Sequence, residues 1–387
     1  MTAAAELLAA SRLDGRTLSM GCQRCPLLRQ CGGYTRAGSA WSCMDLCATC
    51  DRATCDKVCL KKAARYAEDL LEIGGFGFHG VPALLQSSGG ALPHYIPMIQ
   101  HGFEGVEDVS LPWAAVPMSR VIRFQRGEYT PVATTAEGLR RRFGLSANTR
   151  IVLVGVGKDR PIERYWRWRR VHDTPRFLAA LGFASVIVPN YSFFLEDPRP
   201  QHFFNRKRSL ICAGEFSRAG IPSVPCLQAV APVDWTYWHA FLQTHAEVSV
   251  VAKEFQTGLA KRERGLPAIE SLAHLQDQTR RRLHVVAVGG GKYAADLAAR
   301  FDSWTIIDSI PFMKATHRRM AGTAGRRVRW IPTMDGDLGE MLMHNSLRWS
   351  DCLAARARAG VRENPAPEQV ARQAARSSGG PVQLELL

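Results

Sequence analysis

Eight short apolar segments recur along the chain from about Tyr95 onward, each closed by a turn or a polar residue. They are Tyr95–Gln100, Trp113–Met118, Arg150–Val156, Ser185–Asn190, Pro222–Gln228, Val248–Ala252, His284–Val288 and Trp304–Asp308. Apolar and polar positions do not alternate strictly within them, which is the pattern of strands buried on both faces. Between them lie stretches predicted as helices: Thr135–Phe143, Ile162–Leu181, Asn205–Ala219, Trp235–Thr244, Pro267–Arg281 and Tyr293–Phe301. Strands alternating with helices imply parallel crossovers, and eight such units predict an α/β fold of the (β/α)8 TIM-barrel type. A doubly wound open sheet is the alternative. Prolines within the first, second, fourth and fifth segments weigh against strands there, because proline cannot donate to a ladder.

The periodic region covers 95–350. Ahead of it the pattern divides into a helix-like start at 1–20, a cysteine-rich stretch at 21–60, and a connector at 61–94. The connector holds the helix-like Lys61–Ile73 and the glycine-rich link Gly74–Gly80. From 360 to 387 large apolar residues become sparse, and a flexible tail is expected. It ends in Gln383–Leu387, which resembles peptides that dock on bacterial sliding clamps.

Composition adds a charge argument. At 387 residues and 46% hydrophobic, the chain can bury a large core. Fifty Lys and Arg against 35 Asp and Glu give a formal charge of +15, which suits a polyanionic partner such as nucleic acid. No apolar run reaches the roughly 18 residues needed to span a bilayer, and Met1–Arg16 lacks the pattern of a signal peptide. No membrane partner is expected, and a cytoplasmic setting with reduced thiols is.

Eight of the 11 cysteines fall in one cluster: Cys22, Cys25, Cys31, Cys43, Cys47, Cys50, Cys55 and Cys59. In a reducing compartment such short spacings let several thiolates converge on one ion, so the cluster predicts a metal-binding module rather than disulfides. Zinc and an iron–sulfur cluster fit the spacing equally. Cys43-x3-Cys47-x2-Cys50 also has the spacing of the radical S-adenosylmethionine motif, but no apolar strand precedes it as that barrel would require. A module that folds around its ion and supports the next domain fits better. Cys212, Cys226 and Cys352 are scattered and read as core or surface residues.

In a barrel, function gathers at the carboxyl ends of the strands. There the sequence places Gly157, Lys158 and Asp159 after the third strand, Asn190 after the fourth and Gln228 after the fifth. Lys253 and Glu254 follow the sixth, Gly289-Gly290-Gly291-Lys292 the seventh, and Asp308 ends the eighth. Each has a structural reading as well. An Asp at a strand end can cap a helix, Asn190 and Gln228 can satisfy turns, and Lys253 can pair with Glu254.

The run His284–Lys292, leading through Tyr293–Phe301 into Ile306-Ile307-Asp308-Ser309, resembles the tRNA-guanine transglycosylases. It is closer in character to their DNA-acting 7-deazaguanine relatives of phages and genomic islands. Leu338–Asn345 resembles the helix that follows that family's barrel. The resemblance implies that Asp308 is the nucleophile on the sugar, that residues after the fourth and fifth strands read the base, and that a 7-deazaguanine-type base is exchanged into DNA in preference to tRNA. The chain departs from the family at three places. Asn190 stands where the family has an acid, Gly157 and Asp159 replace a compact Asp-Ser-Gly, and the zinc site after the eighth strand is missing.

Base exchange needs a carboxylate that attacks the anomeric carbon and a second group that handles the leaving base. Asp308 and Asp159 are the candidates. Asn190 and Gln228 could read the edge of an unstacked base, and Gly289–Gly291 with Lys292 could approach a phosphate. Arg160–Arg170, Phe203–Arg208 and Arg326–Trp330 interleave cations with aromatics, a pattern that suits phosphates and stacked bases. The alternative is a metal-stapled nucleic-acid-binding protein with an inactive barrel.

Overall fold

The computed structural model describes residues 25–31, 55–60, 62–86, 92–103, 106, 108–125, 128–194, 197–324, 326–334 and 336–363. Twelve strands occur among them: β1 (Tyr95–Pro97), β2 (Trp113–Pro117), β3 (Ile122–Gln125), β4 (Glu128–Pro131), β5 (Arg150–Val154), β6 (Ser185–Ile187), β7 (Ser223–Val224), β8 (Val250–Glu254), β9 (His284–Val288), β10 (Ser303–Asp308), β11 (Arg319–Ala324) and β12 (Arg327–Pro332). Each of the eight predicted segments overlaps a strand. The prolines are tolerated because Pro97 and Pro117 are the last residues of their strands, where a missing N–H breaks little of the ladder.

The architecture is mixed α/β with parallel sheets. One sheet has the order β1-β10-β9-β8 and the other β2-β5-β6-β7, every pairing being parallel. Isolated parallel bridges connect their edges, Met98 with Ala115 and Cys226 with Ala252. Ile99 N–H donates to Ala115 O at one seam, and Leu227 N–H to Ala252 O at the other, both at 2.8 Å. Strands β1, β5, β8, β9 and β10 are apolar and almost wholly buried, as parallel strands with covered faces must be. Two antiparallel hairpins, β3–β4 and β11–β12, stand outside the parallel sheets and had no counterpart in the expectation.

The helices correct several predicted bounds. Ala136–Arg142 starts where Thr135 Oγ1 accepts from Gly138 N–H at 3.0 Å. The predicted helix Ile162–Leu181 is two helices, Asp159–Trp168 and Thr174–Ala180, because Asp173 adopts φ 43° and Pro175 starts the second. The predicted Asn205–Ala219 begins earlier, as Arg199–Arg218. Residues 360–363, expected to open a flexible tail, instead end the helix Leu338–Glu363, and 364–387 lie outside the described residues. A Cβ on Gly360 would lie 2.3 Å from Ala295 O, so only glycine allows this crossing with the helix Ala294–Arg300. The start at 1–20 and the clamp-like Gln383–Leu387 lie outside the described residues. No helix among the described residues is long and apolar enough to cross a membrane.

Candidate functional site

The strand ends fall into two neighbourhoods. The first is the end of β10. Asp308 is 5% exposed, and both its oxygens are engaged by its own chain. Trp349 Nε1 donates to Oδ2 at 3.0 Å and Ile310 N–H to Oδ1 at 3.1 Å. Burial pushes its carboxyl up to about 6, against the pull of those two donors and of Arg356. Asp308 therefore holds the first N–H of the helix Ile310–Thr316 and the Trp349 indole of the helix Leu338–Glu363, besides standing at a strand end.

The glycine loop packs into the same neighbourhood. Gly289 and Gly290 have φ of 80° and 77°, which side chains disfavour. A Cβ on Gly289 would lie 2.6 Å from Gln256 Cγ, and one on Gly291 3.0 Å from Asp308 Oδ2. Close packing thus accounts for the glycines. Lys292 is exposed, its Nζ 5.1 Å from the centre of the Tyr293 ring, and the α-helix beyond is only Ala294–Arg300.

The second neighbourhood lies at the ends of β5, β6 and β7. Asn190 N–H donates to Gly155 O at 3.1 Å, which ties the two strand ends together. Its side-chain Oδ1 is buried and has no hydrogen-bond partner among the described residues. One residue on, Tyr191 O accepts from Gln228 Nε2 at 2.6 Å, and Gln228 O accepts from Trp238 Nε1 at 2.8 Å. The two predicted base readers are therefore brought together, although half of the Gln228 amide is used internally. Lys253 is not paired with Glu254. Its Nζ donates to Leu227 O at 2.7 Å, and burial pushes its pKa down. Glu254 accepts instead from Thr257 N–H at 2.8 Å.

Asp159 opens the helix Asp159–Trp168 and is exposed. Ser192 Oγ donates to its Oδ1 at 2.5 Å. A chain of bonds with no mark in the sequence runs on from there. Asn205 Nδ2 donates to Ser192 O, Gln201 Nε2 to Asn205 Oδ1, and Val58 N–H to Gln201 Oε1, each at 2.7 Å. Val58 lies between Cys55 and Cys59, so the segment 55–60 is docked on the layer that holds Asp159. Above these residues opens a cleft of about 580 Å³, bordered by Asp159, Arg160, Arg167, Phe194 and Arg208 on one side and Asp56–Val58, Arg65 and Glu72 on the other. No hydrogen bond among the described residues joins Asp308 to Asp159, Asn190 or Gln228.

The predicted nucleic-acid footprint divides. On the helix Asp159–Trp168, Ile162, Tyr165 and Trp166 are buried, while Arg160, Arg164 and Arg167 are exposed. Phe203–Arg208 is corrected: it is buried throughout. Arg206 pairs with Asp234 at 3.1 Å alongside Arg199 at 2.7 Å, Arg208 pairs with Glu163 at 2.6 Å, and Lys207 Nζ donates to Gly77 O and His79 O at 2.7 and 2.6 Å. Arg199, Arg206 and Lys207 hold the helix Arg199–Arg218 inside the molecule and are not offered to a ligand, while Arg208 is pinned by Glu163 at the border of the cleft.

Of the eight clustered cysteines, Cys25, Cys31, Cys55 and Cys59 are described and form no disulfide among the described residues, and Cys31 and Cys59 are buried. Cys22, Cys43, Cys47 and Cys50 lie outside the described residues. No group of three or more metal-ligating side chains occurs among the described residues. Cys212, Cys226 and Cys352 are buried, as core residues.

No family model matches the chain, and no curated protein matches it. Among solved structures it is similar to the carboxyl transferase domain from Rhizobium etli pyruvate carboxylase, solved with 3-bromopyruvate. The identity is 13% and the TM-score 0.27, over 63% of this chain and 43% of that chain. The chain thus spans less than half the length of that neighbour, and so slight a likeness bears on neither activity nor substrate.

Proposed function

We propose that the protein is a nucleic-acid base-exchange enzyme, a pentosyltransferase that replaces guanine with a 7-deazaguanine-type base, in DNA rather than tRNA. We read the two parallel sheets as halves of one (β/α)8 barrel closed at the Met98–Ala115 and Cys226–Ala252 bridges. The observation that carries the reading is the buried, unpartnered Oδ1 of Asn190 beside Gln228. A buried acceptor left without a donor costs about 1–3 kcal/mol, and the donor edge of a guanine-type base would supply what is missing.

In this reading the ionised Asp308 carboxylate attacks C1′ of the nucleotide, and the C1′–N bond breaks. Asp159 gives its proton to the departing base. The incoming base then loses a proton to Asp159 and attacks C1′, expelling Asp308. Attack requires one Asp308 oxygen to exchange its Trp349 or Ile310 donor for the sugar. The cysteine cluster, with zinc or an iron–sulfur group, supplies folding energy and takes no part in these steps.

The closed hydrogen bonding of Asp308 favours a second reading, in which the barrel is inactive and the protein only binds nucleic acid. Incorporation of labelled 7-deazaguanine bases into DNA and tRNA separates the two. The enzyme reading expects turnover on DNA that Asp308→Asn abolishes, with nucleic-acid affinity nearly unchanged. Turnover surviving in Asp308→Asn removes the nucleophile assignment, and binding without turnover in the native protein leaves the second reading.

A further inference from the structure

The hairpin β11–β12 follows the last parallel strand and has no role in the steps above. From Ser309 to Thr333 the chain carries Lys314, Arg318, Arg319, Arg326, Arg327 and Arg329 and no acidic residue. Arg319, Arg327 and Arg329 are exposed, and their guanidinium groups enter no ion pair among the described residues.

The pairing register decides which way the hairpin looks. Met320 opposite Ile331 and Gly322 opposite Arg329 share one face, with Arg327 two places before Arg329; Arg319 opposite Pro332 and Ala321 opposite Trp330 share the other, with Val328. The second face is held down. Ala321 is buried and its N–H donates to Asn345 Oδ1 at 2.8 Å, while the Trp330 ring lies 6.2 Å from that of Trp349. The first face is turned to solvent, with Met320 42% and Ile331 50% exposed beside Arg329.

We propose that this face docks on duplex DNA, seating the ribbon in the major groove with its arginines on phosphates. The proposal rests on the nucleic-acid reading above but not on its chemistry. A two-stranded ribbon fits a groove about 12 Å wide, and Arg327 and Arg329, on one strand, stand roughly 7 Å apart along it. A face that carries Arg327 and Arg329, on a segment with six cations and no acid, is complementary to a backbone carrying one charge per about 1.7 Å. Met320 and Ile331 offer apolar contact of the kind thymine methyl groups accept.

Anisotropy of a short labelled duplex with the full chain, titrated across salt concentrations, tests it. Arg327→Gln/Arg329→Gln is expected to bind several-fold to roughly tenfold more weakly, with a log–log salt slope shallower by about two. The charge-matched control Arg150→Gln/Arg300→Gln, near the opposite strand ends, is expected to change affinity by about twofold at most. Should the double ribbon variant not fold, Arg329→Glu at an exposed position gives the same reading. Equal losses in ribbon and control variants overturn the proposal. So does tighter capture by tRNA, single-stranded DNA or anionic vesicles than by duplex. Because only binding is read, absence of base exchange leaves this test intact.

Discussion

Asp308 and Asp159 both stand where a parallel strand gives way to a helix, yet they meet opposite surroundings. Asp308 is sealed beneath the C-terminal helix, with both oxygens occupied and its carboxyl pushed up to about 6. Asp159 is exposed at the border of a cleft and held by one hydroxyl. The strand end fixes where a carboxylate stands, and the residues packed over it decide whether a substrate reaches it. On the sealed side the covering element is Trp349. On the open side it is the segment around Val58, set back from Asp159 by Gln201, Asn205 and Ser192.

The harshest way to break this comparison is to strip the open side alone. A chain beginning at Gly80 loses the docked segment around Val58, the Phe76 ring 5.4 Å from Phe203, and Gly77 O and His79 O, the two carbonyls that accept from the Lys207 ammonium. An uncompensated buried charge costs several kcal/mol. Thermal unfolding followed by circular dichroism is therefore expected to lose its cooperative transition. Melting like that of the full chain would show the segment to be an accessory.

The sealed side is sharpened by pH. The carboxyl of Asp308 lies near 6 in the folded chain and near its ordinary 3.8 when unfolded, so between these values the native state binds more protons. Stability must then fall as pH rises from about 4 to about 6, by about 3 kcal/mol in all, and stay level above. Asp308→Asn removes this contribution. Urea denaturation of both proteins at pH 4 and pH 7 is expected to show the native chain losing that much more than the variant. Parallel pH profiles would mean that Asp308 titrates normally.

The smallest expected effect lies on the open side, at Asn190. A carboxylate there accepts only, whereas the amide both accepts and donates. Asn190→Asp is expected to reorder preference among guanine, 7-deazaguanine and its 7-substituted forms, by about 1–3 kcal/mol, without abolishing turnover. Competition assays that return the same order for both proteins would exclude Asn190 from base reading.

The parallel scaffold was legible because a strand buried on both faces has to be a short apolar run, and His284–Val288 or Trp304–Asp308 admits little else. The hairpins were not. Arg327–Pro332 alternates cation and apolar residue, which reads equally as an exposed strand or as a loop with aromatics. Phe203–Arg208 misled for a related reason. Four of its residues look like a ligand-binding face, but partners far along the chain, Asp234, Glu163 and the carbonyls of Gly77 and His79, neutralise or bond the cations inside the molecule. Long-range pairing leaves no mark at the position it rescues. Asn190 and Gln228 were placed correctly at neighbouring strand ends, whereas the occupied oxygens of Asp308 depend on Trp349, 41 positions away.

The pairing of β1 with β10 has a consequence for synthesis on the ribosome. Tyr95 bonds to the carbonyl of Asp308, 213 positions later. At about 5–20 residues per second, β1 waits roughly 10–40 s for that partner. Meanwhile β2, β5, β6 and β7 can pair in the order in which they emerge. Until then β1 offers one unsatisfied edge to any extended chain nearby. A nascent chain is therefore most vulnerable to misassembly at Tyr95–Pro97, and a circular permutant that begins at β2 and carries β1 after β10 would escape that delay.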